Sequence, residues 1–419
     1  MDDARLHPLI PTLLLLGLTA CFEAAEDPPP CPWQVALLRA EAERFAAGDC
    51  ENGACLTTPL TIVPSAGLPA EVMPQNANNN LDVVSHDCRV FLAFRTGPYH
   101  FADEEAMLYV VSSSDQQTWR YEGEFAMGTD LREPRLLSYR GRLFLYFAVL
   151  GQEIYDFEPQ GMKVSEYLEP GEWTDPAWFY GKGFIPWRSK LVGGRPFMLS
   201  YVGGENIYDF TEGGVEVHWL TTSDGLEWRP VIKNQPVVLE GGVSETDFVF
   251  LDDGSLIAVS RNELGDPELG WGMQICRAEA GALGDWRCVG DPRKYDSPLM
   301  FAYGNQPCLI GRRNLTEDGH YDLGYRDLTF EDQALKYELD YWGKPKRTAL
   351  WTVDAETLEV SFVRDLPSRG DTCFPGLLTV RPGLYEVYNY SNPLDGDDLP
   401  WNQGQFEHTL IYRIGLRLE

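Results

Sequence analysis

The chain has 419 residues, 44% of them hydrophobic, enough to bury a large core and long enough to call for several units or one radially repeated fold. A formal net charge of −30 disfavours a nucleic-acid partner, because an acidic surface repels phosphate backbones. It does not exclude an anionic small ligand, since local arginines outweigh a global field at short range.

From the start of the chain, Leu9 to Leu18 is an apolar run too short to span a bilayer as a stable helix, and it ends in Leu18-Thr19-Ala20-Cys21. This resembles a bacterial lipobox, in which the cysteine is lipidated and becomes the mature N-terminus. Asp2 and Asp3 offset Arg5 where such a leader is usually positive. Phe22 stands where a retention Asp would sit, so the expected destination is the outer membrane, periplasmic or cell-surface, held through the lipid anchor only. Glu23 to Pro30 reads as a Pro-rich tether. Residues 32–47, with Trp33, Val35, Leu37, Leu38, Ala42 and Phe45 among charges, predict one helix. Thr57 to Pro64 predicts a strand. The expected organisation is a signal peptide over 1–20, a lipidated tether with a short disulfide-linked helical segment over 21–56, and one domain over 57–419.

That domain carries a repeat in which a turn leads into an apolar strand. Its copies are Asp87–Arg95, Arg140–Phe147, Gly193–Tyr201, Asp253–Arg261, Gly304–Arg312 and Pro382–Tyr390, with starts 53, 53, 60, 51 and 78 residues apart. Trp119, Trp173, Trp228 and Trp286 recur at intervals of 54, 55 and 58. Two of them follow similar Ser-Asp turns, Ser114 to Trp119 and Ser223 to Trp228. A repeat of this length built from short strands predicts an all-β, six-bladed β-propeller with a short N-terminal helical segment. The Asp of each such turn is expected to accept backbone N–H bonds, and the Trp to pack between blades.

Setting Cys21 aside leaves eight cysteines, an even number that in an exported chain suggests disulfides. Cys276 and Cys288 are the easiest local pair, and Cys31, Cys50 and Cys55 are candidates to staple the helix to the barrel. No cysteine-histidine spacing suits zinc, and Asp395, Asp397 and Asp398 lack calcium-loop spacing, so no metal and no cofactor are expected.

Three repeat copies end in arginine: Arg95, Arg261 and Arg312, with Arg313 beside the last. Equivalent positions in different blades face one rim, so these arginines are expected to converge on one anion, the guanidinium fork being suited to carboxylate. Glu245 stands eight residues before Asp253-Gly254 and sixteen before Arg261.

At this interval the sequence resembles the bacterial and animal sialidases. The resemblance implies that Glu245 is the base for a tyrosine nucleophile and that Arg261 belongs to a carboxylate-binding triad, with Arg312 or Arg313 as its next member. A wider resemblance, to sialidase-like bacterial proteins of the neuraminidase superfamily, rests on five segments. They are Phe94-Arg95-Thr96-Gly97 with His100, Asp130-Leu131-Arg132-Glu133-Pro134, Glu245-Thr246-Asp247, Gly311-Arg312-Arg313 and Leu366 to Gly376. It nominates Arg95, His100, Arg132, Arg261, Arg312, Arg313, Asp371 and Tyr390 for binding an acidic sugar, and Asp103 as general acid beside Glu245. Two departures stand out. Phe374 occupies the usual tyrosine position and lacks a hydroxyl, with Tyr388 and Tyr390 both open as substitutes. Asn78-Asn79-Asn80-Leu81 occupies the strand start where true sialidases carry Arg-Ile-Pro. Two readings therefore stand: a sialidase-like glycoside hydrolase acting on an acidic sugar, and a non-catalytic propeller that binds glycans or proteins at its rim.

Overall fold

In the structure, a computed structural model that describes residues 29–154, 156–209 and 214–419, every copy of the repeat forms the turn and second strand of an antiparallel sheet. The expected signal peptide and the lipidation at Cys21 lie outside the described residues. Residues 31–419 form one body. Six sheets follow one another as blades 1 to 6, with first strands Ala77–His86, Leu131–Tyr139, Ile185–Val192, Val243–Phe250, Asp296–Tyr303 and Gly376–Arg381. These strands surround one axis. Arg188 of blade 3 reaches across it to the carbonyls of Pro298 in blade 5 and Pro375 in blade 6, at 3.1 and 3.0 Å. The fold is the six-bladed β-propeller that the repeat predicts.

Each second strand has neighbouring blades on both faces. Each is accordingly buried along its length rather than on alternate residues: every residue of Leu256–Asn262 is buried, as is all of Leu384–Ser391. The ring closes in blade 6. Its C-terminal strand Leu410–Leu418 pairs with Leu60–Val63 and with Ala54–Leu56, so the predicted N-terminal strand completes the last blade.

The tryptophan marks lie at the seams. The Trp173 ring meets Phe125 of blade 1, Trp228 meets Tyr146 of blade 2, Trp286 meets Trp219 of blade 3, and Trp119 meets Tyr388 of blade 6. The Asp turns behave as expected. One Asp115 carboxylate oxygen accepts the N–H groups of Gln117 and Thr118, and Asp224 does the same for Leu226 and Glu227. The left-handed position of this turn is Gly225 (φ +84°) in one copy and Gln116 (φ +58°) in the other. Gln116 takes up that conformation where its side-chain oxygen receives the Tyr388 hydroxyl at 2.7 Å.

The helix expected over 32–47 runs from Pro32–Ala46 and buries Trp33, Leu37 and Phe45. The disulfides depart from the simplest expectation. Cys31–Cys88 staples the helix to blade 1 and Cys276–Cys288 forms as expected, but Cys50 and Cys55 pair with each other across their own hairpin. Cys308 and Cys373 remain buried free thiols, so the even count does not mean full pairing. A second long helix, Phe330–Trp342, is absent from the sequence expectation. It is inserted between the second and third strands of blade 5, which accounts for the longest interval in the repeat. Thr329 caps it, its hydroxyl accepting the Asp332 N–H, and Ala334, Tyr337 and Tyr341 form its buried stripe.

Candidate functional site

At one end of the axis the first strands lose regular pairing. Register breaks between Asn79 and Leu81, Arg132 and Arg135, Pro186 and Arg188, Val243 and Thr246, and Asp296 and Leu299, so five blades bulge near the same end. Asn80, Glu133 and Ser297 take positive φ there (42°, 55° and 55°), and Cys373 does so at 83° just before the first strand of blade 6. A bulge re-aims a side chain that the pleat would have placed between sheets. Pro134, Pro186, Pro298 and Pro375 sit at or beside these points, where a missing N–H costs no ladder bond.

The re-aimed residues line an axial cavity of about 360 Å³. Asn80, Glu133, Glu245, Ser297 and Phe374 come from five blades, while the helix Phe330–Trp342 supplies Leu339 and Trp342 at the rim. Ile154, Phe157 and Ile207 add apolar wall. Among the described residues no cluster of His, Cys, Asp and Glu suits a metal ion.

Three arginines line this cavity: Arg132, Arg261 and Arg312. Each stands against acid. Arg132 Nε donates to Asp130 Oδ2 at 2.5 Å, and its guanidinium also reaches the His100 carbonyl at 3.1 Å. Arg261 donates to Glu245 Oε1 at 2.6 Å and to Glu263. Arg312 lies over the Trp401 ring at 4.1 Å, with Asp296 Oδ2 at 3.7 Å. Glu245 is held on both oxygens, the second accepting the Ser297 N–H at 2.9 Å. Burial raises the Asp296 carboxyl, but Lys294, Arg261 and Arg312 outweigh it and hold the group below its usual range.

Two further carboxyls are pushed the other way. Burial raises Glu133 to about 7 despite Arg135, with the charge of Glu245 adding to the rise. Burial likewise raises Glu263 to about 7 against the pull of Arg261 and Lys294. Near neutrality both exchange protons readily, the property a proton donor or acceptor needs.

The nominated residues divide. Glu245, Arg132, Arg261, Arg312, His100 and Tyr390 all line the cavity. Asp371 lies just behind it, fully buried, and accepts from Tyr390 at 2.9 Å and Trp401 at 3.1 Å, with His100 Nδ1 at 2.8 Å. Burial alone would raise its carboxyl, but His100 and these bonds hold it below the usual range.

Arg95 is not in the cavity lining. The loop after its strand folds back over it, so its guanidinium donates to the carbonyls of Phe101 (2.8 Å) and Tyr99 (3.2 Å) and to Asp130 (2.8 Å). It supports Asp130, which in turn orients Arg132. Arg313 alternates to the other side of the strand and pairs with Asp365 at 2.6 Å. Asp103 stays within its own turn, its carboxylate accepting the Glu105 N–H at 2.8 Å, while Phe101 and Ala102 form the adjoining cavity wall. Of the two open tyrosines, Tyr390 lines the cavity with its hydroxyl engaged by Asp371, and Tyr388 is spent at the seam with blade 1. Sequence reasoning passed over Glu133, Glu263 and Asp296. For Glu133 and Asp296 the available signal was a residue–proline pair at the bulge, Glu133-Pro134 and Ser297-Pro298; nothing comparable marks Glu263.

Compared by sequence, the chain matches no protein-family model and no curated protein. Solved structures are similar in fold. A protein of unknown function from Dyadobacter fermentans is 15% identical, covers 88% of this chain and 100% of its own, and superposes with a TM-score of 0.57. Trypanosoma rangeli sialidase in complex with the inhibitor DANA is 11% identical, with 88% of this chain and 60% of that chain covered and a TM-score of 0.54. The same sialidase in complex with 2,3-difluoro-KDN gives 13% identity, 87% and 58% coverage and a TM-score of 0.52. The chain thus spans about three fifths of those sialidase chains, and the likeness is one of propeller fold.

Proposed function

We propose that the axial cavity takes an acidic, sialic-acid-like sugar and that the protein is a sialidase-like glycoside hydrolase. One observation carries the reading: Arg132, Arg261 and Arg312 come from three blades and meet in one cavity that also holds two carboxyls poised near neutral pH. The guanidinium forks bind the sugar carboxylate. Glu133 gives its proton to the leaving glycosidic oxygen. A water attacks the anomeric carbon as that bond breaks, and its proton passes to Glu245, an orientation set by Arg261 and the Ser297 N–H. Water is the nucleophile because Phe374 has no hydroxyl and the Tyr390 hydroxyl is held by Asp371 at 2.9 Å.

Phe374 also favours a second reading, in which the cavity binds the sugar and leaves it intact. Hydrolysis and binding of a panel of acidic aryl glycosides separate the two. Product release by the wild type, lost in Glu133→Gln, supports the hydrolase. Saturable binding with no product supports the binding propeller, and no binding of any acidic sugar removes both. We further propose outer-membrane anchoring through lipid on Cys21, supported by the Leu-Thr-Ala-Cys run. Labelled palmitate should enter the wild type and not Cys21→Ser; equal labelling rejects the anchor.

A further inference from the structure

Further along the axis, beyond the floor of the sugar cavity, lies a second cavity of about 340 Å³. Arg135, Arg188, Lys190 and Asp82 are its charged lining. Lys190 Nζ is satisfied by Asp247 (2.7 Å) and by the carbonyls of Phe248 (2.6 Å) and Met300 (2.7 Å). Arg188 is satisfied by the carbonyls of Pro298 and Pro375. Asp82 accepts the Leu136 N–H at 2.7 Å. Asp247 also accepts the N–H groups of Phe248 and Met300.

Arg135 is the exception. It is 0% exposed, yet none of its three guanidinium nitrogens has a hydrogen-bond partner among the described residues. Its nearest carboxylate oxygen, Glu133 Oε2, is 3.5 Å away. Its guanidinium lies 4.4 Å from the centre of the Phe374 ring and 5.1 Å from that of Trp187. The Trp187 indole N–H is also buried without a partner. Three cations, Arg135, Arg188 and Lys190, face two acids, Asp82 and Asp247, with burial raising the Asp82 carboxyl and raising Glu133 to about 7. A buried guanidinium without acceptors is costly, and here the cations outnumber the carboxylates.

We propose that Arg135 holds a small monovalent anion of halide size on the propeller axis, beneath the sugar cavity and separate from it. The anion supplies the missing acceptor and offsets the excess of cations. The site does not depend on the sugar reading, because its anion would be held below Phe374 rather than by Arg132, Arg261 and Arg312.

The test uses protein exchanged into sodium gluconate and titrated with sodium bromide at constant ionic strength. Wild type should gain melting temperature saturably, by about 3 °C at a hundredfold excess over Kd for a chain of this size. Arg135→Gln should show no bromide-dependent gain. Wild-type crystals soaked in bromide provide the second measurement, which holds even if the variant fails to fold. Their anomalous difference map should place bromine against the Arg135 guanidinium. The proposal is overturned by no bromide dependence, by an equal gain in Arg135→Gln, or by bromine confined to the Arg132–Arg261–Arg312 cavity.

Discussion

Glu133 offers the sharpest test of the site's electrostatics, and Glu133→Gln is the perturbation. In the folded chain burial raises this carboxyl from the ordinary 4.5 to about 7. Between those values the folded state keeps the proton and the unfolded state has lost it. Folding therefore takes up a proton, and wild-type stability falls as pH rises through the window. Each pH unit is worth about 1.4 kcal/mol, so the whole window amounts to about 3 kcal/mol. Glutamine keeps the shape of the protonated acid and does not titrate. Its stability relative to wild type should thus climb by about 3 kcal/mol from pH 4 to pH 8, or about 4 °C in melting temperature. The opposing loss is the Arg135 contact, which at 3.5 Å is no hydrogen bond and is the smaller term. Paired urea and thermal unfolding across that range measures the difference directly. A flat difference, or a wild type that gains on the variant as pH rises, would show that Glu133 is a stabilised carboxylate and would refute the reasoning.

Binding of an acidic sugar should weaken above pH 7, because Glu133 and Glu263 then both become charged beside the arginines; calorimetric titration from pH 5 to 9 checks the direction. Arg261→Lys keeps the charge but loses the fork that meets Glu245 and Glu263, so affinity for the same ligand should fall at least about tenfold; unchanged affinity would remove Arg261 from the carboxylate site. Opening Cys31–Cys88 by Cys88→Ser should cost about 4 kcal/mol and opening Cys276–Cys288 by Cys288→Ser about 3, because the first closes a loop of 57 residues and the second one of 12; denaturant midpoints that reverse this order would count against the loop-entropy account. Asp115→Ala removes the acceptor for two backbone N–H groups and should lower stability by about 1–2 kcal/mol in the same assay.

The propeller was legible because its signal is periodic. Turn, apolar strand and tryptophan recur once per blade, and each serves a contact between neighbouring blades. The site was legible only in part. Arg95, Arg261 and Arg312 are equivalent in the repeat, yet a loop closes over the first and leaves the other two open to the cavity. Strand register specifies where a backbone position falls but not which loop covers it. Glu133 and Ser297 face the axis because bulges turn them there, and a bulge depends on pairing with another strand. The helix Phe330–Trp342 escaped because it is one short amphipathic stretch in a sequence dominated by strands, although its Thr329 cap and the buried spacing of Ala334, Tyr337 and Tyr341 were present.

Ring closure in blade 6 sets a schedule for synthesis. Leu60–Val63 and Ala54–Leu56 are made before blades 1 to 5, but their partner Leu410–Leu418 is made after them. Until Leu410–Leu418 arrives, those strands have no partner from blade 6. An unpaired edge is a template for any strand that meets it first. Two chains caught at this stage can exchange N-terminal strands, each completing the other's last blade, and the product would be an interlocked dimer.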